Sequence, residues 1–181
     1  MSMRPPFVNL DSALELIRAA PKDQGTLDLI ARRPAAGTRE VVDHVRFSLE
    51  HGVVGDGWHR RPSRKTGAPN PEQQVTMMNS RAIAAIAPNR EDWPNAGDQL
   101  YADLDLSVDN LPVGTKLAIG TAVLQVSSYP HRGCVKFTKR FGADATKWLN
   151  TEVGCALRLR GVMMQVEVAG EARRGDVIRK R

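Results

Sequence analysis

Cysteine is scarce in this sequence, with only Cys134 and Cys155 in 181 residues. Two cysteines exclude a four-cysteine zinc site, and with no export signal at the start a structural disulfide is not expected. Aromatic residues make up 5% of the chain and are not interleaved with the basic ones. That pattern argues against a stacking platform for single-stranded nucleic acid. No run approaches the roughly 20 apolar residues of a membrane span, and the opening Met-Ser-Met-Arg-Pro-Pro lacks the apolar stretch of a secretory signal. The chain therefore reads as cytoplasmic. Internal repeats and low-complexity runs are also missing.

What is present is ordinary for a globular protein: 41% hydrophobic and 25% charged residues, enough chain for one domain with a proper core. The formal net charge of +6 favours an anionic partner: a nucleic acid, a phosphorylated cofactor or an acidic protein. With that charge, the basic tail from Arg173 to Arg181 speaks for nucleic acid, although such tails are usually solvated ends.

The periodicity predicts a short helix over Asp11–Ala20, stopped by Pro21, within an N-terminal helical extension of residues 1–25. Residues 26–181 read as one β-rich domain, mainly β with a few short helices. Alternation puts Leu27, Leu29 and Ala31 on one strand face, and Val41, Val45, Phe47 and Leu49 on another, with His44 on a solvated face. Strands follow at Val75–Met78, from Leu100, around Leu117 and Leu124, and from Gly161 to Val168. Asn79 or Ser80 caps a helix that Pro88 ends, and Asp144 caps a second one near Trp148.

Two marked loops carry the candidate chemistry. Gly52–Pro62 sets Asp56 and His59 among glycines, where they can orient a ligand or carry protons, or simply form a turn. Arg60, Arg61, Arg64 and Lys65 add cationic donors suited to a phosphate. The second loop, Tyr129–Gly142, sets Cys134 at a strand-to-helix corner among His131, Arg132, Lys136, Lys139 and Arg140. A thiol acts as nucleophile or metal ligand only as the thiolate, which nearby cations and a helix start favour. Cys155 lacks such neighbours and reads as a core residue, unless the fold makes it a partner of Cys134. Trp58 and Trp148 can line the pocket, with core packing the default for both.

Taken in order, several pieces resemble the MOSC domain, the family of the molybdenum cofactor sulfurase C-terminal domain. They are Gly52-Val-Val-Gly-Asp56, Gln74–Met78, Gly97-Asp-Gln-Leu100, Leu111-Pro-Val-Gly114, Ile119-Gly120, Pro130-His-Arg-Gly-Cys-Val-Lys-Phe137, Arg160-Gly161 and Gly175-Asp176. The resemblance implies a barrel-like β fold and a stand-alone domain. It makes Cys134 the key cysteine, either as a ligand to molybdenum in a pyranopterin cofactor or as a persulfide carrier. Asp56 and His59 would assist it, and Arg60, Arg61, Arg64, Lys65, His131, Arg132 and Lys136 would bind the cofactor. It further implies N-hydroxylated or sulfur-bearing small molecules as substrates, and a cysteine desulfurase or an external electron donor as partner. Gly-Asp-Gln-Leu stands where the family usually has Gly-Glu-Asn-Leu, which keeps the chemistry but changes the reach. The alternative is a non-catalytic module that uses the same scaffold to bind an anionic partner.

Overall fold

The computed structural model describes residues 10–62 and 66–181. The chain begins with α1 (Leu10–Arg18), whose buried Ala13 and Ile17 pack into the helical layer. There follow β1 (Gln24–Arg32), β2 (Glu40–Val42), β3 (His44–Ser48), β4 (Gly52–Val53) and a 3-10 turn at Trp58–Arg60. β5 (Val75–Asn79) runs directly into α2 (Ser80–Ile86) because the Asn79 side-chain oxygen accepts from the amides of Arg81 (2.8 Å) and Ala82 (3.0 Å). A 3-10 helix at Arg90–Ala96 precedes β6 (Leu100–Asp103), and β7 (Lys116–Ile119) and β8 (Ala122–Val126) form a hairpin. Three short helices come next, α3 (Val135–Phe141), α4 (Ala143–Leu149) and α5 (Glu152–Ala156). The chain finishes with β9 (Val162–Val168), β10 (Gly170–Arg173) and β11 (Val177–Lys180).

Seven strands close into a barrel in the order β1, β11, β7, β8, β9, β5, β6 and back to β1. Among the described residues only β5 and β6 run parallel; the pairing of β11 with β1 completes the ring. β2 extends from β1 outside the ring, and β10, β3 and β4 make a small second sheet. One apolar core fills the barrel, including Leu27, Ile30, Met77, Leu100, Leu124 and Met164. A second lies between the barrel and the helices, with Leu29, Tyr101, Phe137 and Trp148. The expected β-rich, barrel-like architecture is what the chain adopts.

Three details differ from the sequence pattern. Leu27 does not share a face with Leu29 and Ala31, because a bulge between Leu27 and Leu29 shifts the pairing of β1 with β6. Leu27 and Ile30 consequently point into the barrel, and Leu29 and Ala31 into the helical layer. Val41 and Leu49 are exposed while Val45 and Phe47 are buried, since the chain breaks at Asp43, sending β2 to β1 but β3 to β10, and Leu49 falls in the turn after β3. Gly142 rather than Asp144 is the N-cap of α4, and Asp144 sits in its first turn. His44 is exposed as expected, 3.1 Å from Glu171.

Candidate functional site

The loop that carries Cys134 is pinned from below. Asn150 holds Gly133 on both sides, accepting from its amide at 3.1 Å and donating to its carbonyl at 3.4 Å. A Cβ at Gly133 would lie 3.0 Å from Thr146 and 3.2 Å from the Asn150 amide nitrogen, so any side chain would press on this clamp. Cys134 is the N-cap of α3 in extended conformation, and its side chain makes no capping bond. Phe137 and Phe141, with ring centroids 4.7 Å apart, anchor the helix in the second core. The backbone is thus fixed while the thiol is left exposed.

Behind this loop lies a buried polar group. The Arg160 guanidinium donates to Asp98 at 2.5 Å and to the Ala96 carbonyl at 3.0 Å, and sits 5.1 Å over the Phe137 ring. His131 Nδ1 approaches the other Asp98 oxygen to only 3.6 Å, too far for a hydrogen bond. Among the described residues, neither of those two atoms has a hydrogen-bond partner, and neither does Arg160 Nε. Burial, reinforced by the charge of Arg160, pushes the His131 pKa down to about 3, so the ring is neutral at physiological pH.

Asp56 has no exposed surface. Its carboxylate accepts from the Arg33 amide (2.8 Å), from Arg33 Nε (2.9 Å) and Nη2 (3.0 Å), and from the Trp58 amide (2.9 Å). With both oxygens occupied, Asp56 holds the Gly55–Gly57 turn and orients Arg33. Arg33 in turn donates to the Gly97 carbonyl at 2.8 Å, linking the turn to the Gly97-Asp98 corner. His59 stands edge-on to His51, with centroids 5.0 Å apart, and its Nε2 lies 3.3 Å from Arg60. Arg60 also donates to the Pro34 carbonyl.

Gly97 is in the left-handed region (φ 92°), and a Cβ there would meet Arg140 at 3.6 Å and Arg39 at 3.7 Å. Arg39 donates to the Pro94 carbonyl (3.2 Å) and Arg140 to the Asn95 carbonyl (2.7 Å). Burial first, then the charges of Arg140, Arg33 and Arg61, lower the Arg39 pKa; burial and then Arg33 lower that of Arg61. Arg39 is therefore crowded by the charges of Arg140, Arg33 and Arg61, and an anion placed beside it would offset that crowding. Of the cations expected in the first loop, Arg61 joins this cluster and Arg60 turns away to Pro34. Arg64 and Lys65 lie outside the described residues. Nothing in the local sequence marks Arg33 and Arg39, since each sits in a plain loop.

A cleft of about 190 Å³ opens beside the same loop, walled by His131, Arg132, Cys155, Arg158, Arg160 and apolar side chains such as Val113 and Met163. Cys155 is half-buried there rather than in the core, and the Arg132 guanidinium lies 3.3 Å from its sulfur. Lys136 is exposed on α3. Trp58 and Trp148 are buried, as expected. Among the described residues, no three His, Cys, Asp or Glu side chains gather to hold a metal ion. A metal here would depend on Cys134 and on ligand atoms supplied by a cofactor.

The fold is shared with proteins of known structure. The YuaD protein of Bacillus subtilis superposes with a TM-score of 0.61 at 14% identity, over 87% of this chain and 95% of that one. YiiM of Escherichia coli gives 0.57 at 19% identity, over 86% of this chain and 69% of that one. YiiM of Geobacillus stearothermophilus gives 0.53 at 16% identity, over 87% and 75%. No curated protein matches the sequence. The model of the MOSC domain matches residues 62–179, well over half of the chain and including the Cys134 loop, and the chain belongs to the MOSC domain family.

Proposed function

We propose that this domain binds a phosphate-bearing pyranopterin molybdenum cofactor, with Cys134 as the protein's ligand to the metal and the Gly97 arginines as the anion-binding end. The observation that carries the reading is the arrangement along α3. An exposed thiol stands at its start and Arg140, part of the cationic cluster, near its end, about 9 Å of helical rise away. The donor set fits an anionic group: Arg39, Arg61 and Arg140 bring positive charge to the Gly97 corner, and Arg33 is held in place beside them by Asp56. When bound, such a cofactor supplies a redox metal for oxygen- or sulfur-atom transfer. The chain's own residues bind its charge, present one sulfur from a rigid loop, and keep His131 neutral beside that loop.

Substrates on this reading are N-hydroxylated or sulfur-bearing small molecules, and electrons come from an external donor. The exposure of Cys134 also supports a second use, as a persulfide carrier loaded by a cysteine desulfurase. Two measurements separate these readings. Protein purified from a molybdenum-replete host is expected to carry about one molybdenum per chain, and Cys134→Ser to lose it. Equal metal content in both proteins would end the ligand role. Incubation with a cysteine desulfurase and its substrate should add one sulfur to Cys134 by mass spectrometry if the carrier reading holds; an unmodified thiol would remove it.

A further inference from the structure

We propose that Cys155 and Arg132 form a second thiol site, which undergoes exchange with small anionic disulfides in the cleft beside the Cys134 loop. Three observations converge on it. The Arg132 guanidinium lies 3.3 Å from the Cys155 sulfur, and the thiol also lies 3.7 Å from the Asn150 carbonyl. The cleft is walled by Arg132, Arg158, Arg160 and His131, and by no acidic side chain among the described residues. Two of those walls, His131 and Arg160, have side chains only 8% and 7% exposed, and each keeps a nitrogen without a hydrogen-bond partner. The unpaired His131 nitrogen faces Asp98 at 3.6 Å behind the wall, and Arg160 is paired with the same carboxylate, so Arg132 and Arg158 are the cations that the cleft itself presents.

Size and charge select the ligand. At about 190 Å³ the cleft is below the range of roughly 300–1,000 Å³ that holds drug-sized molecules, which excludes a pyranopterin and admits a small chain with one charged end. Val113, Val162 and Met163 provide an apolar wall for the methylene part, and the arginines take a carboxylate. A carboxylate-bearing aliphatic disulfide satisfies each of these conditions. In the exchange, the Cys155 thiolate attacks one sulfur of the bound disulfide, having lost its proton to solvent. A new bond forms between the Cys155 sulfur and that sulfur while the original sulfur–sulfur bond breaks. The second half leaves as a thiolate with the electron pair and takes up a proton from water. Cys155 is oxidised and the disulfide is reduced, with no other reagent required. Arg132 acts as a positioning residue, drawing the anionic reagent to the sulfur.

The test uses the full chain with Cys134→Ser, so that Cys155 is the only thiol and the result is independent of the cofactor reading. Dithiodipropionate, which is anionic, is compared with bis(hydroxyethyl) disulfide, neutral and of similar length, at low ionic strength. Mixed-disulfide formation is followed by intact mass, and its position by peptide mapping. The anionic reagent is expected to react roughly tenfold faster, within the range of electrostatic steering by a focused cleft. Added salt should narrow the gap. Replacing Arg132→Gln should collapse the preference and Arg132→Lys should retain most of it, which a merely structural arginine would not do. Equal rates for the two reagents, or a preference unchanged in Arg132→Gln, would overturn the proposal.

Discussion

His131 is kept neutral in the folded protein, whereas in the unfolded chain it takes up a proton near pH 6.5. Because the folded-state value is depressed to about 3, the unfolded state binds more protons between these limits, and stability falls as pH drops through that window. The slope from one such group is about 1.4 kcal/mol per pH unit. Replacing His131→Gln is expected to flatten the stability profile between pH 6 and 4, measured by urea denaturation; profiles of equal slope in both proteins would contradict the burial argument. The histidine itself could be picked out of the sequence, standing three residues before a proline-and-glycine-marked cysteine. Its condition could not, because Asp98 and Arg160 come from distant segments. The same holds for Asp56, which is recognisable between two glycines, whereas its partner Arg33 is separated from it by three strands. Local sequence marks the residues a loop presents, and says little of the charges that long-range folding sets against them. Cys155 shows this most plainly: bland neighbours in the chain, a guanidinium at 3.3 Å in space.

At the scale of elements, the joint between the Cys134 region and the barrel is Gly161. It has φ 102°, and a Cβ there would fall 2.2 Å from the Met77 carbonyl oxygen on β5, a contact no side chain tolerates. Gly175 has nearly the same kind of backbone (φ 92°) with nothing within 4 Å. Gly175→Ala is therefore expected to lose about 1 kcal/mol through conformation alone. Gly161→Ala should lose several times as much, because the β5–β9 contact must open to admit the methyl group. Chemical denaturation of the pair checks the claim, and equal losses would show that close approach is unimportant. Most strands could be read in advance from alternation and turn residues, as with the β7–β8 hairpin around Gly120. The bulge in β1 could not, since the extra residue Asp28 looks like any outward polar position. α5 escaped for a different reason: five residues are too few to display a helical period.

Across the whole molecule, the barrel is closed by its first and last strands, with Gln24 opposite Arg179 and Thr26 opposite Val177. β11 also pairs with β7, and Ile178 is fully buried in the barrel core. Removing Val177–Arg181 is accordingly expected to abolish the cooperative thermal transition seen by circular dichroism rather than merely lower its midpoint. A truncated chain that still melts sharply would show that the ring is stable when open. The closing pair has a further consequence, at the ribosome. While the chain is being made, β6 can pair with one side of β1 and β2 with the Ile30–Arg32 end of the other, but the Gln24–Thr26 end has no partner until β11 emerges. Throughout that interval this end of β1 presents unpaired amides and carbonyls to any neighbouring nascent chain. Slow translation near the end of the message should therefore reduce the yield of folded protein, even though the finished barrel has no open edge in its ring.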